Sequence, residues 1–340
     1  MSHSAVAGDR KLRVLVTGAG GPAAQSFMSA FVPGEIDWFT ADADRLAPGF
    51  QLSPPNRRVI VPRGDAPDYV DTLLPLAVRI GADVIVPTVD TELVPIATAR
   101  DRFDQAGIKL LMARRYTFDL TLDKWMLARH LRNVVVPIPH TTLLEGQVEI
   151  PPRRFPLIAK PRTGSGSRGI VLTHSQADVA ALPRDGSYLL QEFLPGAEYS
   201  VDVLARQDGT IACAVPRERI RIDSGIAVAA RTVRDAELVE YATNSARAIG
   251  LIGVANVQLK RNAGGIPALV EINPRFPGTM SLTVAAGVNM PRLALDDLLG
   301  HTMPESIDFT DAALVRTWQD HAVDPASLDA SDAAERVVAA

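Results

Sequence analysis

Residues 12–112 repeat a simple alternation, an apolar strand followed by a helix-patterned segment, and that alternation restricts the front of the chain to a parallel α/β sheet. Residues 12–17 (Leu-Arg-Val-Leu-Val-Thr), 37–41, 82–87 and 109–112 read as buried strands. Residues 23–31, 69–80 and 93–106 carry apolar positions at helical spacing. Pro22 stands where the first helix begins, a position at which its missing N–H is not needed.

Beyond residue 115 the pattern changes. Residues 121–131 read as a helix, and residues 134–140 as a proline-broken linker. Strands at 155–160 and 170–173 flank a glycine-rich loop, and strands at 188–193, 198–204 and 211–215 follow in quick succession. An amphipathic helix spans 236–249. This half is α+β with antiparallel pairing, no internal repeat is visible, and the Ala- and Asp-rich residues 324–340 read as a flexible tail.

Composition narrows the classes. With 47% hydrophobic and 22% charged residues the 340-residue chain is an ordinary globular one. A net charge of −4 without any basic run argues against a nucleic-acid surface. No stretch approaches the roughly 20 apolar residues of a membrane span. A single cysteine, Cys213, excludes an internal disulfide and a cysteine-rich zinc site; it reads as a small core residue, and a reducing, cytoplasmic setting is the expectation.

The chemistry concentrates in two short strands. Side chains two apart in a strand share a face, so Asn256, Gln258 and Lys260 go together, as do Glu271, Asn273 and Arg275. The turn-rich residues 261–266 suit a hairpin, and a turn centred between Gly264 and Gly265 sets Gln258 across from Glu271. One carboxylate, two amide oxygens and an arginine then share a face. Hard oxygen ligands beside a cation are what a magnesium–phosphate site needs.

Two glycine loops point to ligands in different ways. Gly18, Gly20 and Ala23 lie between a strand and a helix, with Asp42 ending the next strand, which fits a dinucleotide fingerprint. The same glycines equally serve a tight strand-to-helix turn. Gly164, Gly166 and Gly169 join two strands instead, so that loop suits a flap over polyphosphate, with Lys160 upstream as the neutralising cation, or else a mobile surface hairpin. There is no GxxxxGK[ST] run. The strand edge at Glu192, Phe193 and Leu194 could pair with a base, and Glu198 could accept bonds from ribose, against an ordinary strand–turn–strand. Arg217, Arg219 and Arg221 alternate along a strand and would repel one another unless an anion lies between them. Glu92, beside Asp90 at the end of a parallel strand, is a candidate for substrate or interdomain contact, with helix capping by Asp90 or Thr91 as the plainer reading. His130, His140, His174, His301 and His321 are scattered without ligand spacing.

Taken in order, Asp123-Lys124, Leu157-Ile-Ala-Lys160-Pro161, the glycine hairpin, Gln191-Glu192-Phe193-Leu194, Glu198, Asn256-Val-Gln258 and Glu271-Ile-Asn273-Pro-Arg275 make the chain resemble the ATP-grasp superfamily. Within it, the chain is similar to the carbamoyl-phosphate-synthase-large-chain-like branch, which holds the carboxylate–amine ligases of the pyrrolysine-pathway type. The resemblance covers residues 12–300 and implies a Rossmann-like front domain (1–115), a small lobe with the flap (116–185), a large lobe (186–323) and the tail. It implies that Lys124 and Lys160 contact the phosphates of ATP. Gly164, Gly166 and Gly169 would form the flap, Glu192, Phe193 and Leu194 would frame adenine, and Glu198 would hold ribose. Gln258, Glu271 and Asn273 would serve two magnesium ions, Arg275 an acyl phosphate and Arg219 the terminal phosphate. Small-molecule carboxylate and amine substrates follow, amino acids among them, with ADP and phosphate as products, and a homodimer through apolar surface of the front domain. Two departures stand out. The second arginine that the synthetase has after its Asn-Pro-Arg motif is missing from residues 276–279, and the chain holds one such module, so carbamoyl phosphate synthesis is not expected. An NAD(P)-linked oxidoreductase and a non-catalytic ATP sensor are the alternative readings.

Overall fold

The computed structural model describes residues 10–164, 166, 168–317, 319–323 and 325. Ser165 and Ser167 of the second glycine loop, and all of the expected tail except Pro325, lie outside the described residues.

Three sheets organise the chain. The first joins β1 (Arg13–Thr17), β2 (Asp37–Asp42), β3 (Arg58–Ile60), β4 (Val84–Val86) and β5 (Lys109–Leu110) in the order β3-β2-β1-β4-β5. Its pairings are all parallel, as the strand–helix alternation requires. Helices α1 (Pro22–Met28), α2 (Tyr69–Arg79), α3 (Asp90–Thr98) and α4 (Arg100–Gln105) cover it. Because both faces are covered, β1 buries side chains on each: Val14 and Val16 join one core and Leu15 the other. The helix expected over 93–106 divides at Ala99, whose φ of −92° and ψ of 12° leave the helical region.

The helix expected over 121–131 forms as α6 (Lys124–His130), and an additional helix, α5 (Arg115–Thr121), precedes it. The start of α6 has a clear cause. Asp123 Oδ1 accepts the N–H groups of Trp125 and Met126 at 3.0 and 3.1 Å, which starts a new helix at Lys124.

The second sheet contains β6 (Thr141–Glu145), β7 (Leu157–Pro161), β8 (Val171–Thr173) and β9 (Asp185–Glu192) in the order β6-β9-β7-β8, with the short α7 (Gln176–Ala180) alongside. Since β9 pairs with β6 and β7, this sheet runs to Glu192 and not only to the boundary expected at residue 185. Its core is small, built on Leu144, Leu157, Ala159, Val179 and Leu190.

The third and largest sheet orders β10 (Glu198–Ala205), β11 (Ile211–Asp223), β12 (Ile226–Thr232), β13 (Gly253–Arg261), β14 (Pro267–Asn273) and β15 (Ala313–Val315) as β14-β13-β10-β11-β12-β15. Helices α8 (Ala236–Ala248), α9 (Met280–Ala285) and α10 (Met290–Leu299) accompany it. Leu238, Ala242 and Ala246 of α8 seal against Val201, Val203 and Val257, and the same core continues to Leu15 and Ile85 of the first sheet. Phe27 of α1 meets Phe276, just past β14, with ring centroids 4.7 Å apart. Cys213 is buried, and that burial pushes its thiol up to about 12, so it stays an inert thiol. Among the described residues no helix is long and apolar enough to cross a membrane.

Candidate functional site

The three sheets meet around a cleft of about 450 Å³. Its charged lining is Lys124, Lys160, Arg168, Arg219 and Arg275 against Asp90, Glu198 and Glu271. The balance is cationic, which favours an anionic ligand. Each acid already has a partner. Glu271 Oε1 lies 3.3 Å from Lys124 Nζ, Glu198 pairs with Arg219, and Asp90 accepts two bonds from Arg275, at 2.5 and 3.2 Å.

The hairpin that carries the oxygen ligands forms as its turn residues dictate. Asn262 Oδ1 accepts the N–H groups of Gly264 and Ile266, and Gly265 takes a φ of +81°. Gln258 then faces Glu271 and Asn256 faces Asn273. Asn256 turns inward, its Nδ2 donating to Asp202 at 2.7 Å. Gln258 Nε2 donates to Asn256 Oδ1 and Asn273 Nδ2 to Glu271 Oε2, both at 3.5 Å, so each amide uses its nitrogen within the protein and keeps its oxygen for the cleft. Among the described residues no group of three His, Cys, Asp or Glu could hold a metal alone. One carboxylate and two amide oxygens suit magnesium, which takes few protein ligands and completes its shell with water and phosphate.

Lys160 is the most informative residue of the cleft. It points inward from β7, only 4% exposed, and Nζ donates to the carbonyl of Val270 at 3.2 Å. Burial lowers its pKa to about 8, with Glu271 opposing that shift and Lys124 adding to it. An ammonium held so far from water calls for an anion. Lys124 is placed by the cap that Asp123 makes, and its Nζ also donates to the carbonyl of Gly164 at 2.7 Å. Gly164 and Gly166, with φ of +116° and +70°, border the cleft.

Other expected site residues lie elsewhere. Gly169 is not part of the lining: a Cβ there would stand 2.9 Å from Pro161 and 3.1 Å from the Tyr188 hydroxyl, so it packs the base of the flap. Glu192, Phe193 and Leu194 do not line the cleft either. Glu192 turns to the N–H of His140, Phe193 lies under Lys260, and Leu194 is buried. Of the three arginines, only Arg219 reaches the cleft. Arg217 is wholly buried on Asp202 and Thr279, and an irregularity in the pairing after Arg219 leaves Arg221 exposed. Glu92 is interior, accepting from the amides of Thr88 and Val89 and from the Tyr69 hydroxyl; burial raises its pKa against those bonds. The start of the first glycine loop is packed within the protein. Asp42 Oδ2 accepts the Gly20 N–H at 2.7 Å, and Gly49 lies so close to the Ala19 carbonyl that a Cβ there would stand 1.9 Å from it. Those contacts suit the plainer strand-to-helix turn, while Gly21, Pro22 and Ala23 border the shared cleft.

Two features of the cleft went unanticipated. Asp90 reaches Arg275, a pairing across 185 residues of chain. The β11–β12 hairpin tip, Ile222 to Ala227, borders the cleft and holds Ser224 at a φ of +49°. The Ser-Gly turn pair at 224–225 was the available signal for that hairpin.

Residues 184–321 match the family described as ATP-grasp in the biosynthetic pathway with Ter operon, and residues 14–111 match the PylC-like, N-terminal domain. Over residues 184–321, then, the chain is similar to ATP-grasp proteins. Among curated relatives, the carbamoyl phosphate synthase large chain of Clostridium beijerinckii is 25% identical over 232 residues, covering 64% of this chain and 21% of its own length. The arginine-specific large chain of Geobacillus stearothermophilus is 26% identical over 224 residues, covering 60% and 21%. The chain thus spans about a fifth of the length of those relatives. Solved structures share the fold. N5-carboxyaminoimidazole synthetase from Staphylococcus aureus, complexed with ADP, superposes with a TM-score of 0.71 at 15% identity, over 88% of this chain and 81% of that one. The biotin carboxylase domain dimer of Hydrogenobacter thermophilus 2-oxoglutarate carboxylase, in complex with MgADP, ADP and bicarbonate, gives 0.69 at 17% identity, over 86% and 71%.

Proposed function

We propose that this chain is an ATP-dependent carboxylate–amine ligase that forms an amide through an acyl phosphate and releases ADP and phosphate. The observation that carries the reading is Lys160, a buried ammonium facing the same cleft as Glu271, Asn273 and Arg219. Lys124 and Lys160 would meet the nucleotide phosphates under a flap formed by Gly164 and Gly166. Glu198, steadied by Arg219, would take the ribose hydroxyls. Gln258, Glu271 and Asn273 would hold two magnesium ions, with Glu271 shared, and magnesium would offset charge on the transferring phosphoryl group.

The chemistry asks little else of the protein. A substrate carboxylate oxygen attacks the terminal phosphorus, ADP leaves, and Arg275 steadies the acyl phosphate. An amine then attacks the acyl carbon and phosphate departs. Lysines and arginines neutralise the charge that develops, and the flap keeps water from the mixed anhydride. The carboxylate and amine are small molecules, amino acids being the first class to try, and a homodimer is the assembly we expect.

The test is ADP release with ATP, magnesium, hydroxylamine and a panel of amino acids and other carboxylates, with products read by mass. ADP together with a hydroxamate is the expected result and names the carboxylate. ATP binding without ADP from any acid would favour a sensor, and no ATP binding would end the nucleotide reading.

A further inference from the structure

Arg275 follows β14 at the end of the Glu271-Ile-Asn273-Pro run, yet its guanidinium is engaged at the far wall of the cleft. Nε donates to Asp90 Oδ1 at 2.5 Å and Nη2 to Oδ2 at 3.2 Å. This two-pronged fit is the strongest geometry an arginine offers a carboxylate. The two side chains are only 20% and 18% exposed, so water screens the pair weakly. They also come from different sheets, since Asp90 opens α3 directly after β4.

The two halves of the pair differ in freedom. Asp90 sits on a pinned segment. Thr88 Oγ1 donates to the Thr17 carbonyl at 2.7 Å, and the amides of Thr88 and Val89 donate to Glu92 Oε1 at 2.8 and 2.9 Å. Val89 also packs so close to Gly18 that a Cβ there would stand 2.2 Å from it. Arg275 is a long side chain whose other hydrogen bond is a 3.4 Å contact from Nη1 to the carbonyl of its neighbour Phe276. The arginine is the half able to move.

We propose that Asp90 latches Arg275. In the empty cleft it holds the guanidinium against the first sheet, and the terminal phosphate of a bound nucleoside triphosphate competes with Asp90 for it. The inference rests on the nucleotide reading of the cleft. A nucleoside diphosphate lacks the competing group and leaves the latch closed. Filling the cleft with triphosphate therefore loosens a contact between the first and third sheets, which frees Arg275 for the phosphoryl group and the front wall for an incoming substrate.

The test compares dissociation constants of ADP and of a non-hydrolysable ATP analogue, each with magnesium. It uses the wild-type chain, Asp90→Asn, Arg275→Gln and the double variant. Asp90→Asn is expected to bind the analogue about tenfold more tightly while ADP affinity stays within about twofold. The gain should vanish in the double variant. Asp90→Ser, compatible with a helix start, is the second variant should Asp90→Asn not fold. An unchanged ratio of analogue to ADP affinity in a folded Asp90 variant, or a gain that survives Arg275→Gln, overturns the latch alone. A wild-type chain that binds neither nucleotide overturns the nucleotide reading, and the latch with it.

Discussion

Lys160 carries a pH signature that reports on the cleft. Its folded pKa of about 8 lies below the usual lysine value near 10.4, because burial penalises the ammonium. Between those values the unfolded chain binds more protons, so stability of the empty protein rises with pH through that window and is lowest below pH 8. Phosphate binding has the opposite sense, because it favours the charged form. Nucleotide affinity should be flat up to about pH 7 and fall by as much as tenfold per unit above pH 8. Titration of the nucleotide at pH 7, 8 and 9 checks this, and Lys160→Met should flatten the curve. A wild-type profile without that fall would take Lys160 out of the phosphate site. Glu271 answers to a different readout. Glu271→Ala removes the carboxylate proposed for magnesium and leaves Lys124 without that partner, so ADP formation should drop by about 10²–10³-fold while the circular dichroism spectrum is unchanged. Turnover at the wild-type rate would sink the metal assignment. Sequence alone could separate neither Asp90 from Glu92 nor Arg219 from its neighbours. In the first pair, one turn of helix decides which acid faces inward. In the second, an irregularity in pairing rotates Arg221 away from its alternating partners.

At the scale of elements, the flap depends on how its base packs. Gly169 combines a φ of +73° with a neighbour, Pro161, that a Cβ would meet at 2.9 Å. Gly209 has a similar φ of +86° and nothing within 4 Å. Ala at either site bears the cost of the left-handed backbone, about 1 kcal/mol, and only Gly169→Ala adds a clash, for about 1–3 kcal/mol in all. Thermal melts of the two variants should therefore rank Gly169→Ala lower, and equal melting points would mean that the flap base gives way freely. The elements differ in how far sequence reveals them. Strands β1, β2, β7, β10 and β13 have clean apolar or alternating patterns and read directly. The three residues of β3 are too few to show a period. The helix expected at 121–131 is present, and the capping geometry of Asp123 sets its start at Lys124, apart from the α5 that precedes it. The charged end of the 13-residue β11 shows its alternation through Arg219 and loses it at the irregular pairing beside Arg221.

For the whole molecule, the decisive property is that three sheets share one cleft, which the end of the first glycine loop also borders. Order along the chain made the sheets legible. The resemblance also set Lys160 and Glu271 at one nucleotide; what stayed hidden was Asp90, which packing between elements and not spacing brings to Arg275. Binding at a place where three sheets converge stabilises the folded state as a unit. A ligand that binds only that state at 100 times its dissociation constant adds about 2.7 kcal/mol. MgATP should therefore raise the melting temperature by several degrees. NAD and NADP should leave it unchanged, since Ala19 and Gly20 of the first loop are already engaged by Gly49 and Asp42. A melting scan with each nucleotide separates the two loops directly. A shift with NAD and none with MgATP would require the first loop to open and the cleft to serve another anion. A shift with MgATP that disappears in Lys160→Met would tie the stabilisation to the buried ammonium on β7.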